Sequence, residues 1–237
     1  MTINELLSHR KSTLKQLQSL LGLLNFTCTV VIPCRACLQR LYQLSVGVSK
    51  PYHYVTLNQA TKLDLQTWLI FLENFNGVKL YREELFLSRY TLHLFTDSSQ
   101  SLGCGGVFKS HWFSVAWPSE WWSSQNITFL ELVPIILAAE VWGDMFRNAS
   151  VLLHTDNLAL VYVINKQSSK EPLVMSLVRR LVIQALNKNF DIKATHISGK
   201  HNVLADYLSR LQVSRFLEMF PSADKSPTKV DLPLQMS

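Results

Sequence analysis

The sequence predicts an α/β domain built on a mixed five-stranded sheet with flanking helices, preceded by a small all-helical segment. Three observations point there. Through the first ~75 residues, apolar side chains recur at helical spacing. Near residue 80 the texture changes to short apolar runs punctuated by glycine. From there the elements read three strands, helix, strand, helices, strand, helix, an order that gives a mixed sheet with helices packed on it.

Each element has its own signal. Thr13-x-x-Gln16 fits a capping box for a helix over 13–27, with Leu14, Leu17, Leu20, Leu21 and Leu24 on one face. Pro33 interrupts, and a second amphipathic helix follows over 34–45. Thr56-x-x-Gln59 reads as the cap of a third, with Leu63, Leu65, Trp68, Leu69, Phe71 and Leu72 as its apolar side. Asn76-Gly77 signals a turn. Leu92–Thr96 reads as a buried strand. Leu102–Phe108 and Trp112–Trp117 form a hairpin through Lys109-Ser110-His111. Ile127–Phe146 is a long helical pattern, Val151–Thr155 a strand and Leu158–Asn165 a short helix. Glu171–Asn187 is another helix, with Leu173, Leu177, Leu181, Ile183 and Leu186 inward. Ile192–Ile197 is a strand and Val203–Leu211 a final helix. The expected organisation is therefore a helical segment over 1–80, an α/β domain over 90–211, and a Ser/Pro/Lys-rich tail over 220–237 that reads as disordered.

Composition narrows the function classes. With 48% hydrophobic and 17% charged residues, the 237-residue chain has material for a real core. Its longest apolar stretch is interrupted by Glu131 and falls short of a membrane span. Met1–Lys11 lacks the apolar core of a signal peptide, so the expected location is intracellular, in nucleus or cytoplasm, with no membrane partner. Four cysteines are too few for a disulfide framework. Cys34-x-x-Cys37 has zinc or redox spacing but no second pair beside it. Net charge is +6 and unevenly spread: residues 1–89 hold ten Lys/Arg and five Asp/Glu, residues 90–210 ten and nine. The positive field of the first part suits a polyanion.

Four carboxylates fall at the ends or starts of the predicted elements. Asp97 ends the first strand of the α/β domain, Asp156 follows its fourth, Glu131 lies in the first turn of the long helix, and Asp206 is one turn into the last. If the first and fourth strands are neighbours, both aspartates project at one edge, and the helices can bring the other two there. Carboxylates so close cannot all stay ionised without cations. Hard oxygen ligands suit Mg²⁺ or Mn²⁺. Two such ions about 3.5–4 Å apart support phosphodiester cleavage. Each residue also has a local explanation. Glu131 completes a capping box with Thr128, Asp156 precedes a helix as an N-cap would, Asp97 begins a turn, and Asp206 can sit exposed.

The whole arrangement resembles a known family. Phe95-Thr96-Asp97-Ser98-Ser99 with Gly103-Cys104-Gly105-Gly106-Val107-Phe108, then Leu130-Glu131-Leu132 and His154-Thr155-Asp156-Asn157, resemble the ribonuclease H domains of retroelement reverse transcriptases. The run from His196 to Arg210, with Gly199-Lys200-His201-Asn202 and Ala205-Asp206-Tyr207-Leu208-Ser209-Arg210, closes the pattern. It is most similar to the DIRS-type retrotransposon group. The resemblance implies a ribonuclease H-like fold. It implies Asp97, Glu131, Asp156 and Asp206 as ligands of two Mg²⁺ or Mn²⁺ ions, and hydrolysis of the RNA strand of an RNA–DNA hybrid to a 3′-hydroxyl and a 5′-phosphate. His201, or less aptly His196, would help product leave, and Ser98, Asn157 and Gln125 would reach the hybrid. The first ~80 residues resemble the thumb and connecting region of the same polyproteins, carried by Leu14-x-x-Leu17-Gln18-Ser19-Leu20, Gly22 and Leu24-Asn25-Phe26. No paired-aspartate polymerase motif is present, so any polymerase would be a separate reverse transcriptase region. A catalytically silent nucleic-acid-binding relic is the competing reading. Trp121-Trp122, the Lys166–Lys170 loop and Arg179-Arg180 are further places where nucleic acid could touch, although each is also ordinary surface or core.

Overall fold

The computed structural model describes residues 2–28, 32–73, 91–121 and 126–232. The chain divides into two compact units, Met1–Leu80 and Tyr81–Ser237.

In the first unit, α1 (Ile3–Ser8) and β1 (Lys11–Thr13) lead into α2 (Leu14–Thr27). Thr13 and Gln16 form the capping box that their spacing predicts, and all five expected leucines are buried. A 3₁₀ segment, Ile32–Cys37, precedes α3 (Gln39–Ser45), so the expected helix over 34–45 is split. Then come β2 (Tyr54–Thr56) and α4 (Gln59–Glu73). Two expectations change here. The unit is not all-helical, because β1 and β2 pair antiparallel, with Ser12 opposite Val55. Thr56 is thereby held in a strand, and Asn58 caps α4 instead, its Oδ1 accepting from the Thr61 N–H at 2.8 Å. The buried face of α4 is Thr61, Asp64, Leu65, Trp68 and Phe71, while Leu63 and Leu72 are exposed. Asn76-Gly77 lies outside the described residues.

The second unit is a mixed five-stranded sheet with flanking helices. Its strands are β3 (Thr91–Ser98), β4 (Gly103–Phe108), β5 (His111–Ala116), β6 (Ser150–Thr155) and β7 (Asp191–His196), in spatial order β5-β4-β3-β6-β7. β3, β4 and β5 run antiparallel, while β3–β6 and β6–β7 run parallel. The helices are α5 (Ile127–Val141), α6 (Leu158–Lys166), α7 (Pro172–Asn187), α8 (Val203–Ser209) and α9 (Val213–Met219). α5 is apolar nearly all round, and an unbroken run from Phe129 to Ala139 is buried, as expected of a helix packed on several sides. It ends at Val141, before the expected Phe146, where Gly143 begins a series of turns. The inward face of α7 is Val174, Leu177, Val178, Leu181, Val182 and Ala185, one residue round from the face read in the sequence. Leu173 is exposed. The edge strand β7 is closed by the Asn165 carboxamide, which donates to the Ala194 carbonyl and accepts from its N–H.

The far edge is closed by the segment expected to be disordered. The Asp224 N–H donates to the Ser110 carbonyl and the Thr228 N–H to that of Trp112, while the Trp112 indole donates to the Asp224 carbonyl. Phe220 and Ala223 extend an apolar cluster made by Val107, Trp112, Leu208 and Phe216. Few apolar residues suffice because the segment's backbone finds partners on β5. Residues 233–237 lie outside the described residues. Among the described residues, no helix is long and apolar enough to cross a membrane.

One close approach sets how α8 sits. A Cβ on Gly105 would lie 2.3 Å from the Leu208 Cβ and 2.9 Å from the Leu208 carbonyl carbon, and backbone atoms cannot yield cheaply. Gly105→Ala should therefore lift α8 from β4 and lower stability by about 1–3 kcal/mol, read from urea unfolding. An unchanged midpoint would show that the contact is not tight.

Candidate metal centre

Parallel pairing brings the two strand-end aspartates together. Phe95 lies opposite His154, so Asp97 and Asp156, each two residues further on, leave the same edge of neighbouring strands. Asp97 is still within β3, opposite Gly105, rather than in a turn. Asp156 lies one residue before the N-cap of α6. That cap is Asn157, whose Oδ1 accepts from the Leu160 N–H.

Glu131 comes from α5 and is free of capping duty. Asn126 caps this helix by accepting from the Thr128 N–H, so the Thr128–Glu131 box does not form. Glu131 is 5% exposed, and its buried Oε2 has no hydrogen-bond partner among the described residues. Asp97, Glu131 and Asp156 each offer a carboxylate oxygen, and these oxygens lie within 4.8 Å of one another.

Asp206 does not join them at that spacing. It lies in the first turn of α8, half-buried, with Oδ1 accepting from the Arg210 Nε at 2.7 Å. It is near enough for its charge to act on Asp97. The expected cluster of four is thus three converging carboxylates with a fourth held beside them by a guanidinium one helical turn away.

The electrostatics follow from this crowding. Burial, then the charges of Asp97 and Asp156, push the Glu131 carboxyl up to about 9. Burial also raises Asp97, to about 6, with Asp156 and Asp206 adding to the rise and a hydrogen bond from Ser209 and the charge of Arg210 opposing it. For both groups burial, and after it the neighbouring like charges, disfavours the ionised form. An unpartnered buried oxygen and a set of hard carboxylate donors are what a divalent cation such as Mg²⁺ or Mn²⁺ fits.

Two residues of this neighbourhood have no role in the sequence reading. The Ser209 hydroxyl, fully buried, donates to Asp97 Oδ2 at 2.5 Å, and its oxygen lies 2.9 Å from the Asp206 carbonyl. Arg210 holds Asp206. Both stand in the Asp-x-x-Ser-Arg run, and the spacing of three and four from Asp206 places them one helical turn on. A third, Gly199, lets the 3₁₀ turn Gly199–His201 approach: a Cβ there would meet Asp156 Oδ2 at 3.0 Å.

Ser98 is 7% exposed and its hydroxyl donates to the Leu130 carbonyl at 2.8 Å, so that group is engaged within the fold. Asn157 is half-buried. His201 is exposed on its 3₁₀ turn, and His196 is exposed at the end of β7. His201 and Asn202 line an open cleft of about 440 Å³ with His93, Phe95, Lys109 and Phe220. Gln125 and Trp122 lie outside the described residues. Trp112 and Trp117 are core residues, and Arg179, read as surface, is 8% exposed. In the first unit Cys37 is fully buried, and the Cys34 side chain is outside the described residues.

No protein-family model matches the chain, and no curated protein matches it. Solved structures do. The N-terminal RNase H domain of a Mycobacterium tuberculosis protein is 16% identical, covering 50% of this chain and 95% of its own, with a TM-score of 0.40. RNase H1 from the halophilic archaeon Halobacterium salinarum is 17% identical over 52% of this chain and 97% of its own, at 0.38. A foamy viral protease–reverse transcriptase in complex with RNA/DNA hybrid is 16% identical over 64% of this chain and 26% of its own, also at 0.38. At these scores and identities the likenesses do not say what this chain does; its carboxylates must.

Raised carboxyl pKa values have a sign. Asp97 and Glu131 hold their protons more tightly folded than unfolded, where the values are about 4. Their favourable contribution is full below about pH 4 and is lost as pH rises, through about 6 for Asp97 and about 9 for Glu131. Without divalent cation, the thermal midpoint should fall from pH 5 to pH 9, and Glu131→Gln should flatten that fall. Added Mg²⁺ should raise the midpoint more at pH 8 than at pH 6. A midpoint indifferent to both pH and Mg²⁺ would contradict the buried-carboxylate picture.

Proposed function

We propose that the second unit is a ribonuclease H: it hydrolyses the RNA strand of an RNA–DNA hybrid with divalent cations held by Asp97, Glu131 and Asp156, flanked by Asp206. The observation that carries this reading is the meeting of three carboxylates from β3, α5 and the end of β6 within 4.8 Å, with one buried oxygen that has no partner among the described residues. The order of motifs along the sequence agrees with it. Mg²⁺ or Mn²⁺, as a pair of ions, would supply a water of lowered pKa and charge for the leaving oxygen. The chain's own residues do the rest. Asp97 is oriented by Ser209, and Asp206 by Arg210. Glu131, buried, gives up its proton when a cation binds. Asn157, next to Asp156, would use its amide NH₂ group to meet a 2′-hydroxyl of the RNA strand, the group that separates RNA from DNA. In this proposal His201, exposed on its turn, would help product leave. Water adds to phosphorus, the bond to the 3′ oxygen breaks, and that oxygen takes a proton, leaving a 3′-hydroxyl and a 5′-phosphate.

In the same proposal the chain derives from a retroelement reverse transcriptase of the DIRS type. Its first unit is a thumb or connection whose basic surplus steadies the hybrid, and any polymerase region is a separate partner. A second reading, a silent hybrid-binding relic, is favoured by one observation: Asp206 is tied to Arg210 rather than turned into the cluster.

Purified residues 1–237 with a labelled RNA–DNA hybrid distinguish the two. The expected result is Mg²⁺- or Mn²⁺-dependent cutting of the RNA strand alone, abolished by chelator and reduced more than ~100-fold by Asp97→Asn with hybrid binding retained. Binding without cutting, from folded protein, would establish the relic instead. Cutting unaffected by Asp97→Asn would reject this active site.

A further inference from the structure

Pro134 occupies the interior of α5. A proline there has no N–H, so the carbonyl four residues earlier loses its helical donor. That carbonyl belongs to Leu130, which is 1% exposed, so water cannot readily replace the donor, and a buried unpaired carbonyl is costly. The replacement comes from another element. The Ser98 hydroxyl, on β3, donates to the Leu130 carbonyl at 2.8 Å, and the contact is buried on both sides. Ser98 directly follows Asp97, and Leu130 directly precedes Glu131. The bond therefore joins α5 to β3 at the residues adjoining two of the three converging carboxylates.

We infer that Ser98 and Pro134 act together as a positioning pair: proline opens an acceptor on α5 that the β3 serine fills, and this tie sets the spacing of Glu131 from Asp97. The inference rests on the proposed role of those carboxylates as cation ligands. Neither residue touches the reacting atoms in it. With Pro134→Ala the helix would satisfy Leu130 internally through the N–H of the new residue, and the serine hydroxyl would lose its reason to hold the helix. The two residues must therefore be energetically coupled, although 36 positions separate them in sequence. Coupling between groups that share one hydrogen bond is what a double-mutant cycle measures.

The test uses the full chain and four proteins: wild type, Ser98→Ala, Pro134→Ala and the double variant. Each is read by urea unfolding, by Mn²⁺ titration and by hybrid cleavage. Ser98→Ala should weaken Mn²⁺ binding and cleavage by about tenfold or more, the usual effect of losing a group that orients a ligand. In the Pro134→Ala background the same serine change should cost less than about threefold. If Ser98→Ala fails to fold while the double variant folds, that rescue itself supports the coupling. Equal cost of the serine change in both backgrounds would overturn the pair. So would a stability cycle that shows coupling while Mn²⁺ affinity and cleavage stay at wild-type values, because the bond would then be structural only. Failure of the wild type itself to bind Mn²⁺ would remove the carboxylate reading, and the positioning role with it; that outcome is seen without any variant.

Discussion

Three carboxylate oxygens within 4.8 Å of one another are a repulsive arrangement, and the second unit is organised around holding it. In water the groups would separate. Here they cannot, because each backbone is fixed by an element with its own reasons to be where it is. Strand β3 is the common anchor. Its Thr96 carbonyl accepts from Asn202, at the start of α8; its Asp97 accepts from Ser209, at the end of that helix; its Ser98 donates to α5. Three successive residues of one strand thus tie down both ends of one helix and the first turns of another. The free energy for this comes from elsewhere. The buried run of α5 and the cluster of Val107, Trp112, Leu208 and Phe216 supply apolar burial, at about 25 cal/mol per Å².

The sheet's order makes the arrangement possible. Parallel strands side by side put both C-terminal ends at one edge, and β3 and β6 are such a pair. The glycine opposite Asp97 then matters more than its size suggests. Gly105 lets α8 lie close against β4, and only at that distance does the Ser209 hydroxyl reach Asp97. Beyond α8 the same apolar cluster continues into α9 and the strap that follows, reaching Ala223.

Much of this is legible in the sequence, and the failures share a cause. The order of elements along the chain and the Thr13 capping box can be read from local pattern, while Asp97, Asp156 and Glu131 are picked out only by the arrangement of motifs as a whole. What stays hidden depends on residues far away. Thr56 has the right spacing for a cap, yet β1 recruits it into a strand and Asn58 takes over. Thr128 and Glu131 match a capping box, but Asn126 caps the helix and leaves the glutamate to the interior. The α7 face differs by one residue from the sequence reading because leucine, valine and isoleucine are so mixed there that several faces look apolar. The strap after Met219 reads as disordered by composition, since its partners are backbone groups of β5 more than a hundred residues earlier. Asp206 shows the limit most plainly. Its position in the motif is clear and its i,i+4 spacing puts Arg210 within reach, yet spacing alone does not decide between that partner and the other carboxylates.

Glu131 shows how the fold can hold such a cluster. Among the described residues its Oε2 has no donor, so none of them competes for that oxygen's lone pairs. A carboxylate tied by two or three N–H groups would have its pKa lowered and its charge already balanced. Burial without donors does the reverse: the group keeps its proton to about 9, which removes one negative charge from the cluster and lets the fold tolerate the other two. The proton is then a placeholder. A cation that neutralises the cluster removes the reason to keep it, so proton loss and cation binding are two sides of one equilibrium. The feature that looks like a defect in the core, an unpaired polar atom, is the one that gives the cluster a reason to bind a positive charge.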